Sequence, residues 1–108
     1  MDVRITARHC SITDSVRDIA QTRVSRLSRF EPRITAAEVQ FTDENAFKHV
    51  EVRLSVPGTA QVQAQGAGDS FRSALDRSVE RLERQMRRRH ARRGDRRSAR
   101  TIDTLGAE

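Results

Sequence analysis

The 108-residue chain has no tryptophan and no tyrosine, and its four phenylalanines are its only aromatic residues. A sheet that reads single-stranded bases displays aromatic rings on its open face, so this supply argues against base-by-base recognition. Cysteine occurs once, at Cys10, which excludes an intramolecular disulfide and offers no metal-ligand spacing. A half-buried thiol is its plainest reading. No apolar run approaches the length of a membrane span, and the N-terminus, MDVRITARHC, lacks the apolar stretch of a signal peptide. A soluble cytoplasmic protein with no membrane partner is expected. Leu, Ile, Val and Phe together make only 23 of 108 residues, close to the roughly 20% below which strongly charged chains stay disordered. Lysine is nearly absent too, since 20 of the 21 basic residues are arginine and Lys48 is the exception.

The distribution of charge resolves the question of disorder. Residues 1–80 are balanced, with eleven basic and eleven acidic side chains. Residues 81–100 hold ten arginines against Glu83 and Asp95, and the last eight residues are mildly acidic. A neutral, patterned body therefore carries one cationic end, an asymmetry that points to nucleic acid or an anionic surface. Arginine's planar fork suits phosphate, but a GC-rich genome also enriches arginine. Where the arginines stand is therefore more informative than their identity. At this length the chain holds one domain with a modest core.

Hydropathy patterning predicts six elements. In DVRITAR (residues 2–8), Val3, Ile5 and Ala7 alternate with Arg4, Thr6 and Arg8, the pattern of a half-buried strand. Val16, Ile19, Ala20, Val24, Leu27 and Phe30 then recur at steps of three and four, one apolar face of a helix. Thr13 is its expected N-cap, and Pro32 is its expected stop. Period two returns in TAAEVQFT, in KHVEVRLSV and in TAQVQAQ, with DENAF read as a loop, PG at 57–58 as a turn and GAG at 66–68 as a connection. A second helix starts near Asp69 or Ser70, its apolar face built from Phe71, Ala74, Leu75, Val79, Leu82 and Met86. The order β-α-β-β-β-α, with every element apolar on one side, predicts an α+β two-layer sandwich: two helices on one face of a four-stranded sheet. The other face is expected to be wet, as antiparallel sheets allow.

Catalytic constellations are not found. His9 and Cys10 are neighbours at a strand end, where adjacent side chains point apart. His49 and Glu51 share a strand face but are too few for a metal or catalytic site. No glycine-rich phosphate loop occurs, and no enzyme activity, metal, cofactor or small-molecule substrate is expected. The outward sheet positions, among them Arg4, Thr6, Glu51, Arg53, Gln63 and Gln65, are polar, and only Phe47 is free of the predicted core.

Attention therefore falls on the helices. Arg77, Arg81, Arg84, Arg88 and Arg92 follow steps of 4, 3, 4 and 4 along the second helix. At about 100° per residue they lie within roughly 80° of one another, beside the apolar face. Arg89 extends the same cluster. On the first helix Arg26 and Arg29 share a flank, and Arg23 stands at the edge of the apolar face, where its stem can snorkel. Side by side, the two rows would form a groove-like cationic surface that tracks phosphates. A solvated, salt-bridged face is the ordinary alternative, but residues 84–93 contain no acid to supply the bridges. A helix over 70–93 would run ~36 Å at 1.5 Å per residue, against ~23 Å for a seven-residue strand. Its far half should therefore project past the core, ending at Gly94, with 94–108 a flexible tail.

VRITARHCSITDSVRDIAQTRVSRLSRF and ALDRSVERLERQM resemble the two most recognisable segments of the bacterial ribosome hibernation-promoting factor and ribosome-associated inhibitor family. The likeness covers about residues 3–93 in order. It implies a ribosome-binding domain over 1–93, docked on the small ribosomal subunit and its rRNA in stationary phase or stress. Such proteins occupy the channel of mRNA and tRNA anticodons and inhibit translation by occupancy. Arg23 and Arg26 match the basic pair of the family's first helix, and Arg81 and Arg84 match the basic positions of its second. The aspartate and aromatic that precede the second-helix motif stand one residue further away here, at Asp69 and Phe71. The length resembles a short form, monomeric off the ribosome, without a second dimerisation domain, and the ending weakly resembles the tailed type. Two other readings stay open on the residues alone: a general double-stranded RNA or nucleic-acid binder, and a protein-interaction domain that meets an acidic partner.

Overall fold

The computed structural model describes the backbone of residues 1–44 and 46–105 and the side chains of residues 1–44 and 46–89. The elements follow the order β1 (Asp2–Arg8), α1 (Asp14–Ser25), a 3-10 turn (Arg26–Arg29), β2 (Ala36–Glu44), β3 (Phe47–Ser55), β4 (Val62–Gly68) and α2 (Phe71–Leu105). The strands form one sheet in the order β1-β2-β3-β4. The predicted α+β sandwich is present, but its sheet is mixed rather than antiparallel: β1 runs parallel to β2, with Ile5 opposite Val39, while β2, β3 and β4 alternate direction. The reason is connectivity. α1 intervenes between β1 and β2, and such a crossover returns the chain to the end from which it left.

Local chemistry sets the element boundaries. The Thr13 hydroxyl accepts from the Val16 amide at 3.2 Å and caps α1, as the sequence predicts. α1 then tightens into the 3-10 turn at Arg26 before Pro32 is reached. Ser70 caps α2: its carbonyl accepts from Ala74 and its hydroxyl from the Ser73 amide at 3.1 Å. Ser73 answers by accepting from the Ser70 amide. At Pro57–Gly58 the chain makes a tight turn closed by the Thr59 amide on the Val56 carbonyl, and Gly58 takes φ +72°, a backbone that glycine adopts without strain.

Other boundaries differ from the sequence reading, and the strand read in TAQVQAQ begins only at Val62. DENAF is a loop only in part, because Asp43–Lys48 and Glu44–Phe47 still pair across β2 and β3 and, of its described residues, Ala46 alone lies in the turn. An ion pair of 2.6 Å between Lys48 and Asp43 compensates for the polarity of those positions. GAG is not a connection but the end of β4. A Cβ on Gly66 would overlap the Ala74 carbonyl oxygen and lie 2.7 Å from the Ser78 amide nitrogen, so glycine there lets α2 seat directly on the strand. Finally, α2 does not end at Gly94; its backbone stays helical to Leu105. One interior glycine costs a helix only about 1 kcal/mol relative to alanine, and the arginines and alanines around it are good helix formers. The expectation of a flexible tail falls on side chains, and at 106–108 on backbone, outside the described residues.

The core lies between the sheet and the helices. Ala20, Val24 and Leu27 of the α1 arm meet Val39, Phe41, Val50, Val52 and Leu54 of the sheet and Leu75, Val79, Leu82 and Met86 of α2. All are at most 1% exposed, so each removes most of its apolar area from water, worth about 1.5–3 kcal/mol for a large side chain. Phe71 closes one end with its ring edge-on to Phe41 at 5.5 Å. α2 packs chiefly on β4 and β3, and α1 on β1 and α2. The core contacts of α2 among the described residues stop at Met86, and the helix continues past them. At 1.5 Å per residue its 35 residues span about 52 Å.

Candidate nucleic-acid interface

The open sheet face is polar, as expected, and its charges are matched across strands. Arg53 lies opposite Glu38 and Gln63. Its guanidinium meets Glu51 at 2.5 Å and Glu38 at 3.6 Å, while Gln65 donates to Glu51 at 2.8 Å. Such cross-strand pairs stabilise a solvated face. Phe47, 56% exposed beside the β2–β3 turn, is the largest apolar side chain outside the core. His9 and Cys10 are not brought together as a reactive pair. His9 takes φ 58°, and the Cys10 thiol donates weakly to the Phe41 carbonyl at 3.6 Å. Among the described residues no group of three or more His, Cys, Asp or Glu side chains is placed to hold a metal ion. Nor is any described helix long and apolar enough to cross a membrane.

The candidate arginines divide by surroundings. Arg23 reaches across from α1 and forms an ion pair with Asp76 of α2. Sequence reasoning placed Arg23 at the edge of the apolar face but did not foresee this partner. Farther along the same seam the Arg87 guanidinium lies 5.5 Å from the Phe30 ring centroid, and Glu83 stands 3.8 Å from it on the i,i+4 side. The seam between the helices is thus a partly exposed, charge-compensated contact.

Arg77 and Arg81 occupy the opposite flank of α2, above the free edge of β4. Arg77 donates to the Ala67 carbonyl at 2.6 Å and Arg81 to the Gln65 carbonyl at 2.5 Å. Gln85, one helical step on, donates to the Gln63 carbonyl at 3.1 Å. The two arginine rows therefore do not converge on one groove between the helices, because α1 lies on the other side of α2. Arg84 and Arg88 are exposed, as are Arg26 and Arg29 on the 3-10 turn. None of these four is ion-paired among the described residues. Arg89 is half-buried, four residues beyond Gln85 and nearer the sheet side. Arg92 belongs to the helical backbone of α2, but its side chain lies outside the described residues.

One further cluster went unnoticed in the sequence. Glu31 is only 4% exposed and receives the Arg33 backbone amide at 3.1 Å, Nε at 3.1 Å and an amino group at 3.3 Å. The hydrogen bond to Glu31, then its negative charge, raises the Arg33 pKa above the ordinary arginine value. This cluster ties the segment between the 3-10 turn and β2 and leaves Arg33 already engaged.

Comparison with known proteins agrees with this architecture. The chain is 34% identical over 86 residues to the ribosome hibernation promoting factor of Azotobacter vinelandii, an alignment covering 80% of this chain and 79% of that one. It is 30% identical over 90 residues to the ribosome hibernation promotion factor of Deinococcus radiodurans, covering 79% of this chain but only 47% of that longer protein. A ribosomal subunit interface protein from Coxiella burnetii has the same fold, with a TM-score of 0.77 at 21% identity over 84% of this chain and 99% of that one. The Thermus thermophilus Protein Y N-terminal domain gives 0.72 at 28% identity, over 82% and 98%. The family model described as Sigma 54 modulation protein / S30EA ribosomal protein matches residues 3–94, the span over which the residues themselves carry the resemblance, and the chain belongs to that family.

Proposed function

We propose that this protein is a ribosome hibernation factor that binds the small ribosomal subunit through rRNA phosphates and inhibits translation in stationary phase or stress. The observation that carries the reading is the set of exposed arginines with no ion pair among the described residues, Arg84 and Arg88 on α2 with Arg26 and Arg29 beside α1, in a chain whose relatives are named for ribosome hibernation. Phosphate contact requires cations that are neither desolvated nor neutralised by a neighbouring carboxylate, and these four meet that condition. Of the other arginines expected from the sequence, Arg23 is ion-paired with Asp76 and Arg77 and Arg81 donate to β4 carbonyls, so Arg89 and Arg92 are the ones that extend the proposed rRNA-binding set. A body seated in the channel of mRNA and tRNA anticodons excludes both by volume, so inhibition needs no chemistry. The site of action is then the cytoplasm, and off the ribosome the protein is monomeric.

Sucrose-gradient sedimentation tests this. The protein is expected to co-migrate with small subunits and to lose at least ten-fold in affinity on Arg84→Glu with Arg88→Glu. Co-sedimentation unchanged by that double reversal would overturn the reading. Equal affinity for free RNA duplex and for subunits would favour a general shape-reading nucleic-acid binder instead.

A further inference from the structure

The arginines of the α2 stripe are not equivalent. β4 is an edge strand, and an edge exposes a row of unpaired backbone groups that another strand can join. Along that edge the carbonyls of Ala67, Gln65 and Gln63 receive side-chain donors from Arg77, Arg81 and Gln85 in turn. The two series step together for a geometrical reason. Four residues of helix advance about 6 Å, and two residues of strand advance about 6.7 Å. α2 runs antiparallel to β4, so a donor at every fourth helix position meets a carbonyl at every second strand position. Three rungs accumulate a mismatch of only about 1.4 Å, within the reach of flexible side chains. Glutamine fills the third rung, so a neutral N–H donor on an extended arm can make it.

We infer that Arg77, Arg81 and Gln85 form a clamp that closes the free edge of β4 and fixes α2 along it. They act as positioning residues, and the phosphate contacts of the stripe fall to Arg84 and Arg88. The clamp sets the azimuth of these two, since all five stand on one helix whose rotation the rungs fix. The assignment of phosphate contacts rests on the ribosome-binding reading above, whereas the edge clamp stands without it.

Three double variants separate the roles. Arg77→Gln with Arg81→Gln keeps the donors and removes two charges. Arg77→Met with Arg81→Met removes both donors and charges. Arg84→Gln with Arg88→Gln removes charge from the pair that makes no rung. Small-subunit affinity is measured across a potassium chloride series, and each protein is melted by circular dichroism. Each phosphate contact contributes about 0.7–0.9 to the slope of log affinity against log salt. The Arg84/Arg88 pair is therefore expected to lower the slope by about 1.4–1.8, while the Arg77/Arg81 glutamine pair leaves it within about 0.5 of the wild type. The methionine pair is expected to melt about 4–8 °C lower, with the glutamine pair restoring most of that loss. The clamp is overturned if the methionine pair melts with the wild type, or if glutamine fails to rescue it. The division of labour is overturned if the glutamine pair at 77 and 81 loses as much slope as the pair at 84 and 88. Should the wild type not bind subunits at all, the ribosome reading fails, and the melting comparison still decides the clamp.

Discussion

At the scale of single residues, two glycines in one strand face different obstacles, and the difference is measurable. A Cβ on Gly66 meets backbone, the Ala74 carbonyl and the Ser78 amide, whereas a Cβ on Gly68 meets the Ser73 hydroxyl first. Backbone of a seated helix does not move aside without lifting the helix, so Gly66→Ala is expected to destabilise by about 1–3 kcal/mol, the range for overpacked cores. Gly68→Ala should lose less, about 1 kcal/mol, because Ser73 can rotate at the expense of its bond to the Ser70 amide. Equal losses in urea midpoint at the two positions would show that α2 does not approach β4 as closely as described. His9 offers the opposite sign. With φ 58° it is the one non-glycine residue among those described in the left-handed region, a conformation costing L-residues roughly 1–2 kcal/mol. His9→Gly is expected to raise stability by about 0.5–1 kcal/mol once glycine's extra unfolded-state freedom is subtracted. A fall in midpoint would mean that the imidazole makes a contact worth more than the strain.

Elements were legible in the sequence to the extent that one-dimensional pattern encodes them. The alternation of Val3 and Ile5, the three- and four-residue steps from Val16 to Leu27, and Thr13 before Asp14 all carry a period or a cap, and α1 and the strands stand where those signals place them. DENAF and GAG misled because their residues answer to neighbours in space. Asp43 is acceptable in a strand because Lys48 pairs with it, and Gly66 is required by a helix eight residues later. The stripe at Arg77, Arg81 and Arg84 was visible as a helical period, but not its division. Which strand forms an edge depends on sheet order, which no local pattern states. The Arg23–Asp76 bridge was hidden for the same reason, joining residues 53 apart. Its side chains are 28% and 39% exposed, so solvent screening limits it. A double-mutant cycle with Arg23→Ala and Asp76→Ala is expected to give a coupling of about 0.2–1 kcal/mol. A coupling above about 2 kcal/mol would show that the seam is drier than those exposures indicate.

For the whole molecule, charge and packing divide the chain at nearly the same place. Residues 1–80 are neutral, residues 81–93 carry the entire net charge of +6, and residues 94–108 balance three arginines against three acids. The last buried side chain described on α2 is Met86, so the cationic segment begins where the core contacts are running out. A polyanion responds to charge that is uncompensated within about a Debye length, ~8–10 Å at physiological salt, and that condition singles out 81–93 over the mixed sequence that follows. We therefore propose a functional body over 1–93 with 94–108 as an accessory tail, and a truncation after Arg93 tests it. Removing residues 94–108 leaves the net charge at +6 and deletes no buried side chain among those described. The melting temperature is expected to stay within about 2 °C, since a shift of that size corresponds to well under 1 kcal/mol in a domain of this length. The salt slope of small-subunit binding should stay within about 1 of the full chain, because no more than one phosphate contact is then lost. A drop of about 2–3 would mean that Arg96, Arg97 and Arg100 each hold a phosphate, and that the balance of charge along the tail is broken by how the helix presents it.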